Sequence, residues 1–183
     1  MDEAGLTTKP TRQTTWGRTG KTPVLRIAGR GWKKISIAGA LTVSPGGRRS
    51  GKRRVGQFFR LYEHDIDGPT CAAFVRELLR AVRGPVILLW DGLAVHRSPA
   101  VRALLARRPR VEVIRLPSYA PELNPVEPMW GHAKGVGLRG YVPGDGLDLE
   151  VEADCVLHEI GHHQRLLRGF FKATPLAVPG VTT

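Results

Sequence analysis

The run Pro85-Val86-Ile87-Leu88-Leu89-Trp90, closed by Asp91-Gly92, constrains the fold more than any other stretch of this chain. An unbroken apolar run bounded by turn residues suits a strand covered on both faces, and it is too short to span a bilayer. Helical and strand patterns alternate after it. Ser98–Ala106 reads as a helix with Ser98 as N-cap and Pro99 in its first turn, and Val111–Leu116 as a strand. A proline-rich loop then leads to a helix at Val126–Lys134. After a glycine-rich break, Leu147–Phe171 reads as one long helix or a broken pair, and the tail Pro175–Thr183 as frayed. Before the run, Lys34–Val43 and Gln57–Tyr62 read as strands of a hairpin, and Pro69–Val82 as a helix with apolar residues at helical spacing. Residues 1–34 read as loop with a short strand at Val24–Ala28. A hairpin followed by alternating helices and strands implies a mixed sheet flanked by helices.

At 183 residues, the chain fits one domain. Its N-terminus lacks the basic start and apolar core of a signal peptide, and Cys71 and Cys155 form no motif, so a reducing cytoplasm is the expected setting. The formal net charge of +12 favours a polyanionic partner, with nucleic acid first. Arg48, Arg49, Lys52, Arg53 and Arg54 form the densest basic cluster, at the expected tip of the hairpin turn Ser44–Gly56. Side chains placed there suit phosphate contacts, which give affinity with little sequence reading; a solvated loop is the plainer alternative.

Three acidic positions could carry chemistry. Asp91 follows the apolar strand, and strand ends are where open α/β sheets place functional groups, although Asp-Gly is also an ordinary turn pair. Glu127 falls at the third helical position after Asn124 and Pro125, an arrangement that reads equally as a capping box. Asp2-Glu3 has no weight by itself. His96, five residues beyond Asp91, either nears a reacting phosphate or orients the loop. Two patterns are set aside. His158-Glu159-Ile160-Gly161-His162 has zinc-protease spacing but lacks the usual downstream third ligand. Gly17–Thr22 lacks the first glycine of a phosphate loop and the strand before it.

Taken together, Trp90-Asp91-Gly92-Leu93, His96, the segment Leu116-Pro-Ser-Tyr-Ala-Pro-Glu-Leu-Asn-Pro-Val-Glu127, Trp130 and Lys134 resemble the DDE endonuclease domain of IS630-type transposases, within the Tc1/mariner group. The N-terminal Asp2-Glu3-Ala4-Gly5, Thr15-Trp16-Gly17 and Gly20-Lys21-Thr22-Pro23 match as well, so the resemblance covers about residues 1–140. It implies an RNase H-like α/β fold, with 141–174 as a C-terminal helical segment of the same domain and 175–183 as a disordered tail. It makes Asp2, Asp91 and Glu127 the catalytic, metal-binding triad, with His96 and Asn124 in support and Mg²⁺ or Mn²⁺ as cofactor. It implies double-stranded DNA (transposon ends and target) as partner, cut by water and then joined by strand transfer. In the family the first Asp ends a central strand that follows a helix-turn-helix region. Here Met1 precedes Asp2, so the fold is expected to lack its first central strand. A homodimer and an upstream transposase fragment are the protein partners to expect, and a catalytically inactive DNA-binding remnant is the alternative to an active enzyme. Expected placement is cytoplasmic, on the nucleoid.

Overall fold

The structure is a computed structural model that describes residues 1–9, 16–24, 32–46 and 53–182. Strand β1 (Asp2–Thr7) pairs antiparallel with β2 (Lys34–Val43), which pairs antiparallel with β3 (Val55–Tyr62). Helix α1 (Gly68–Ala81) leads to β4 (Val86–Trp90), a 3-10 turn at Ala94–Arg97 and α2 (Pro99–Ala106). β5 (Val111–Arg115) returns parallel to β4. Helix α3 (Val126–His132) runs into a π-type turn at Ala133–Gly137, and α4 (Gly146–His162) and α5 (Gln164–Lys172) follow.

Alternation along β2 divides the apolar interior in two. Ile35 and Ile37 face α3, α4 and α5, whereas Ala38 and Ala40 face α1. The first core gathers Leu6, Met129, Leu149, Leu157 and Phe170, so residues on both sides of position 140 share one interior. The second joins α1 and α2 to Leu88 and Trp90 of β4. The result is a mixed sheet with helices on both faces, as expected.

Three expectations are corrected, and one that offered two readings is decided. The chain does not open as loop, because Asp2–Thr7 is a strand whose partners are supplied by β2. β4 is not covered on both faces: Leu88 and Trp90 are buried beneath α1 and α2, but Ile87 is 59% exposed. Helices on the opposite face pack over β1, β2 and β3, and among the described residues they leave Ile87 uncovered. Leu147–Phe171 is a pair of helices, broken at His163. The tail is packed rather than disordered. Val181 is buried against the first core, and Arg168 donates to the Gly180 carbonyl at 3.0 Å.

The described strands fall into two sheets. Among the described residues, β1-β2-β3 and β4-β5 form separate ladders, and the Met1 nitrogen donating to Leu89 O at 2.7 Å links them. The strand expected at Val24–Ala28 lies, from residue 25 onward, outside the described residues, as do Arg48, Arg49 and Lys52.

Candidate active site

Neighbouring residues of a strand point to opposite faces, and Asp2 and Glu3 use that alternation. Asp2 faces α3. Its side chain is buried, and the indole Nε1 of Trp130 donates to its Oδ2 at 3.1 Å. Trp130 reaches it by lying on Gly39, the residue opposite Asp2 in β2. A Cβ at Gly39 would come within 2.4 Å of the indole, so only glycine leaves room for that ring. Burial, then the charges of Glu127 and Glu3, push the Asp2 carboxyl up to about 7.

Glu3 faces the other way, toward His96 and Cys71. His96 Nε2 lies 2.9 and 3.1 Å from the two Glu3 carboxylate oxygens. Its ring stacks on Trp90 with centroids 4.4 Å apart and planes 3° from parallel. Nδ1 lies 3.3 Å from the Asp91 carbonyl oxygen and 2.9 Å from Asp91 Oδ1. Burial works against charge on this ring, but Glu3 and then Asp91 outweigh it and raise the His96 pKa. Cys71 completes a buried group with Glu3 and His96, all ligand atoms lying within 4.8 Å of one another. Burial, then Glu3, push its thiol up to about 12, so it is an inert core thiol beside a hydrogen-bonded pair.

Asp91 stands just past the end of β4. Its Oδ1 accepts from Leu93 N–H at 3.0 Å, which is the turn geometry of an Asp-Gly pair. The structural and functional readings of this residue therefore coexist, since Oδ2 carries no hydrogen bond among the described residues. Glu127 lies in the first turn of α3 and is exposed. Its capping-box reading is not met. Asn124 N–H donates to Pro121 O, and Asn124 Oδ1 accepts from Val126 N–H at 3.2 Å. Asn124 thus braces the turn just before the Pro125 N-cap, and among the described residues no hydrogen bond engages the Glu127 carboxylate.

These acids gather at one end of the sheet. Asp2, Glu3 and Asp91 all act on the Met1 nitrogen, and Glu127 acts on Asp2. Asp2 feels the charges of Glu127 and Glu3, and carboxylate oxygens are the donors a hard divalent cation takes. By donor chemistry Asp2, Asp91 and Glu127 fit Mg²⁺ or Mn²⁺, although among the described residues their ligand atoms do not all lie within 4.8 Å of one another. The zinc-like pattern on α4 is not assembled: His158 sits edge-on to Phe59 and pairs with Asp154, and no three ligand atoms there lie within 4.8 Å of one another among the described residues.

Residues 1–140 match the family described as DDE superfamily endonuclease. The chain belongs to that family. Among solved structures it is similar to the Mos1 transposase paired-end complex with left transposon end, with a TM-score of 0.66 and 18% identity over 94% of this chain and 50% of that one. The Mos1 mariner paired-end complex with Mn gives the same TM-score and identity over 94% and 51%. The isolated catalytic domain of Mos1 mariner transposase aligns over 75% of this chain and 74% of its own length, at 16% identity and a TM-score of 0.53. This chain spans about half the length of the complexed Mos1 chains. No curated protein matches. The two small sheets with helices packed on them thus have the RNase H-like fold of the Mos1 catalytic domain, in a chain of the DDE superfamily endonuclease family.

The family resemblance implies Asp2, Asp91 and Glu127 as the triad, and the contacts that hold Asp2 and Asp91 were not read from the sequence. Glu3 was read only together with Asp2, as a pair without weight by itself, and Gly39 was not singled out. A glycine inside an otherwise β-branched and aliphatic strand was the available signal for the second.

Proposed function

We propose that this domain binds a divalent cation pair on Asp2, Asp91 and Glu127 and hydrolyses phosphodiester bonds at transposon ends, followed by strand transfer. One observation carries the reading: a buried Asp2 carboxyl, pushed up to about 7 by burial and its acidic neighbours, in a chain of the DDE endonuclease family. Bound at these oxygens, Mg²⁺ or Mn²⁺ would supply an activated water and neutralise charge on the leaving oxygen. The chain's own part is placement. Trp130 fixes Asp2, the turn at Leu93 fixes Asp91, and Asn124 braces the turn before the helix that presents Glu127.

Double-stranded DNA is the proposed partner, held at its phosphates by Arg48, Arg49, Lys52, Arg53 and Arg54. A homodimer and an upstream transposase fragment are the proposed protein partners. The fragment is favoured by the β4 edge away from β5, which has no ladder among the described residues. Among those residues no helix is long and apolar enough to cross a membrane, and we place the protein in the cytoplasm on the nucleoid. With a single bond from Met1 in place of a ladder on that β4 edge among the described residues, a second reading is a DNA-binding remnant that does not cut. Nicking of terminal-repeat DNA separates the two. The active reading expects Mg²⁺- or Mn²⁺-dependent nicks, lost by at least about a hundredfold in Asp91→Ala and Glu127→Ala, on the scale of losing a principal catalytic group. DNA that is bound but never cut, with an upstream segment supplied, establishes the remnant instead.

A further inference from the structure

Asp91 is held at two points by one imidazole, and that imidazole is itself fixed on its other side. His96 is 4% exposed, stacked flat on Trp90, and its Nε2 lies 2.9 Å from Glu3 Oε1. With Nε2 committed to Glu3, Nδ1 is left facing Asp91, 3.3 Å from the main-chain carbonyl and 2.9 Å from Oδ1. Oδ1 also receives the Leu93 N–H at 3.0 Å. One carboxylate oxygen is thereby engaged from two directions, while Oδ2 has no hydrogen bond among the described residues, at a side chain that is 36% exposed. We infer that His96, anchored by Glu3, is a positioning residue that turns Asp91 Oδ2 toward the bound cation.

A ring that only filled space on Trp90 would not need its two nitrogens between two carboxylates. The pairing also explains why an acid faces into the α1 side of the sheet: Glu3 serves the histidine, and Asp2, one residue earlier, faces α3 and serves the triad. The inference rests on Asp91 being a cation ligand, as in the proposed function. It adds the direction in which that ligand is held. An outer partner that orients a ligand typically changes metal affinity by about 10–100-fold when removed.

Asparagine and glutamine at position 96 separate the two nitrogens. The Asn amide falls where Nδ1 lies and can still donate to Asp91, whereas the Gln amide reaches only toward the place of Nε2. Mn²⁺ affinity of the whole chain, measured by electron paramagnetic resonance titration, is expected to stay within about threefold of wild type in His96→Asn and to fall about tenfold or more in His96→Gln. Thermal unfolding of both variants, run alongside, reports the packing loss they share. Equal Mn²⁺ affinities in the two variants overturn the inference while leaving the triad standing. A wild-type chain that binds no Mn²⁺ overturns the proposed site, and this inference with it. A measurement without substitution guards against variants that do not fold. The long-range ¹H–¹⁵N spectrum of the wild-type ring is expected to show Nδ1 protonated, and a bare Nδ1 also overturns the inference, since it cannot donate to Asp91.

Discussion

A carboxylate buried beside other acids is a poor anion until a cation arrives, and Asp2 is in that position. Its pKa moves from 3.8 to about 7, through burial first and the charges of Glu127 and Glu3 next. An acid whose pKa is higher in the folded state holds its proton more tightly there. The metal-free protein should therefore lose stability as pH rises from about 4 to about 7, and level off above. Asp2→Asn removes that slope. Metal-free, variant and wild type should unfold at the same temperature near pH 4, and by pH 8 the variant should be more stable by up to about 4 kcal/mol. Parallel pH profiles would show that Asp2 is not the strained group. The need for this site to be acidic was legible in the sequence through the family resemblance. Its electrostatic cost was not, because it depends on Trp130 and Gly39 closing over a residue that reads, in sequence alone, as a solvated terminus.

Elements were legible where local chemistry decides them. β2 spans Lys34–Val43 as read, and α2 begins at Pro99 behind a Ser98 side chain that accepts from Val101 N–H. They were misread where packing decides. The apolar run of β4 promised cover on both faces, yet cover depends on where α3, α4 and α5 lie, and they lie over the other three strands. Likewise, Glu127 has the spacing of a capping box, but Pro121 O already takes the Asn124 N–H that such a box would use. The start of α3 thus rests on Asn124, which is 5% exposed and bonds Val126 N–H. Asn124→Ala strands that buried donor and should cost about 1–2 kcal/mol in urea unfolding. Glu127→Gln, lacking any part in the cap, should change stability by less than about 0.5 kcal/mol. A Glu127→Gln loss as large as that of Asn124→Ala would restore the capping-box reading.

At the scale of the whole molecule, the sequence announces charge more clearly than architecture. The described strands form two ladders, β1-β2-β3 and β4-β5, and no local pattern in the sequence marks that division. The packed tail was not legible either, since a short, proline-containing stretch gives no local sign that Val181 will reach the core. The excess of 12 positive charges needs no structure to be read, but its use does. At the base of the β2-β3 hairpin, Ser44 N–H donates to Arg54 O at 2.9 Å, and Arg54 N–H to Ser44 Oγ at 2.8 Å. Neither bond uses the Arg54 side chain, which is exposed. Replacing Arg48, Arg49, Lys52, Arg53 and Arg54 together by Gln should therefore leave the unfolding temperature within a few degrees of wild type. DNA affinity should fall, and by a characteristic route. Removing one cation from a phosphate flattens the plot of log affinity against log salt by about 0.9, so the weakening should be large at low salt and shrink as salt rises. Fluorescence anisotropy with terminal-repeat and unrelated duplexes over a salt series measures this directly. Equal weakening on both duplexes marks binding through phosphates, whereas an unchanged salt slope would move the DNA-binding surface away from this hairpin.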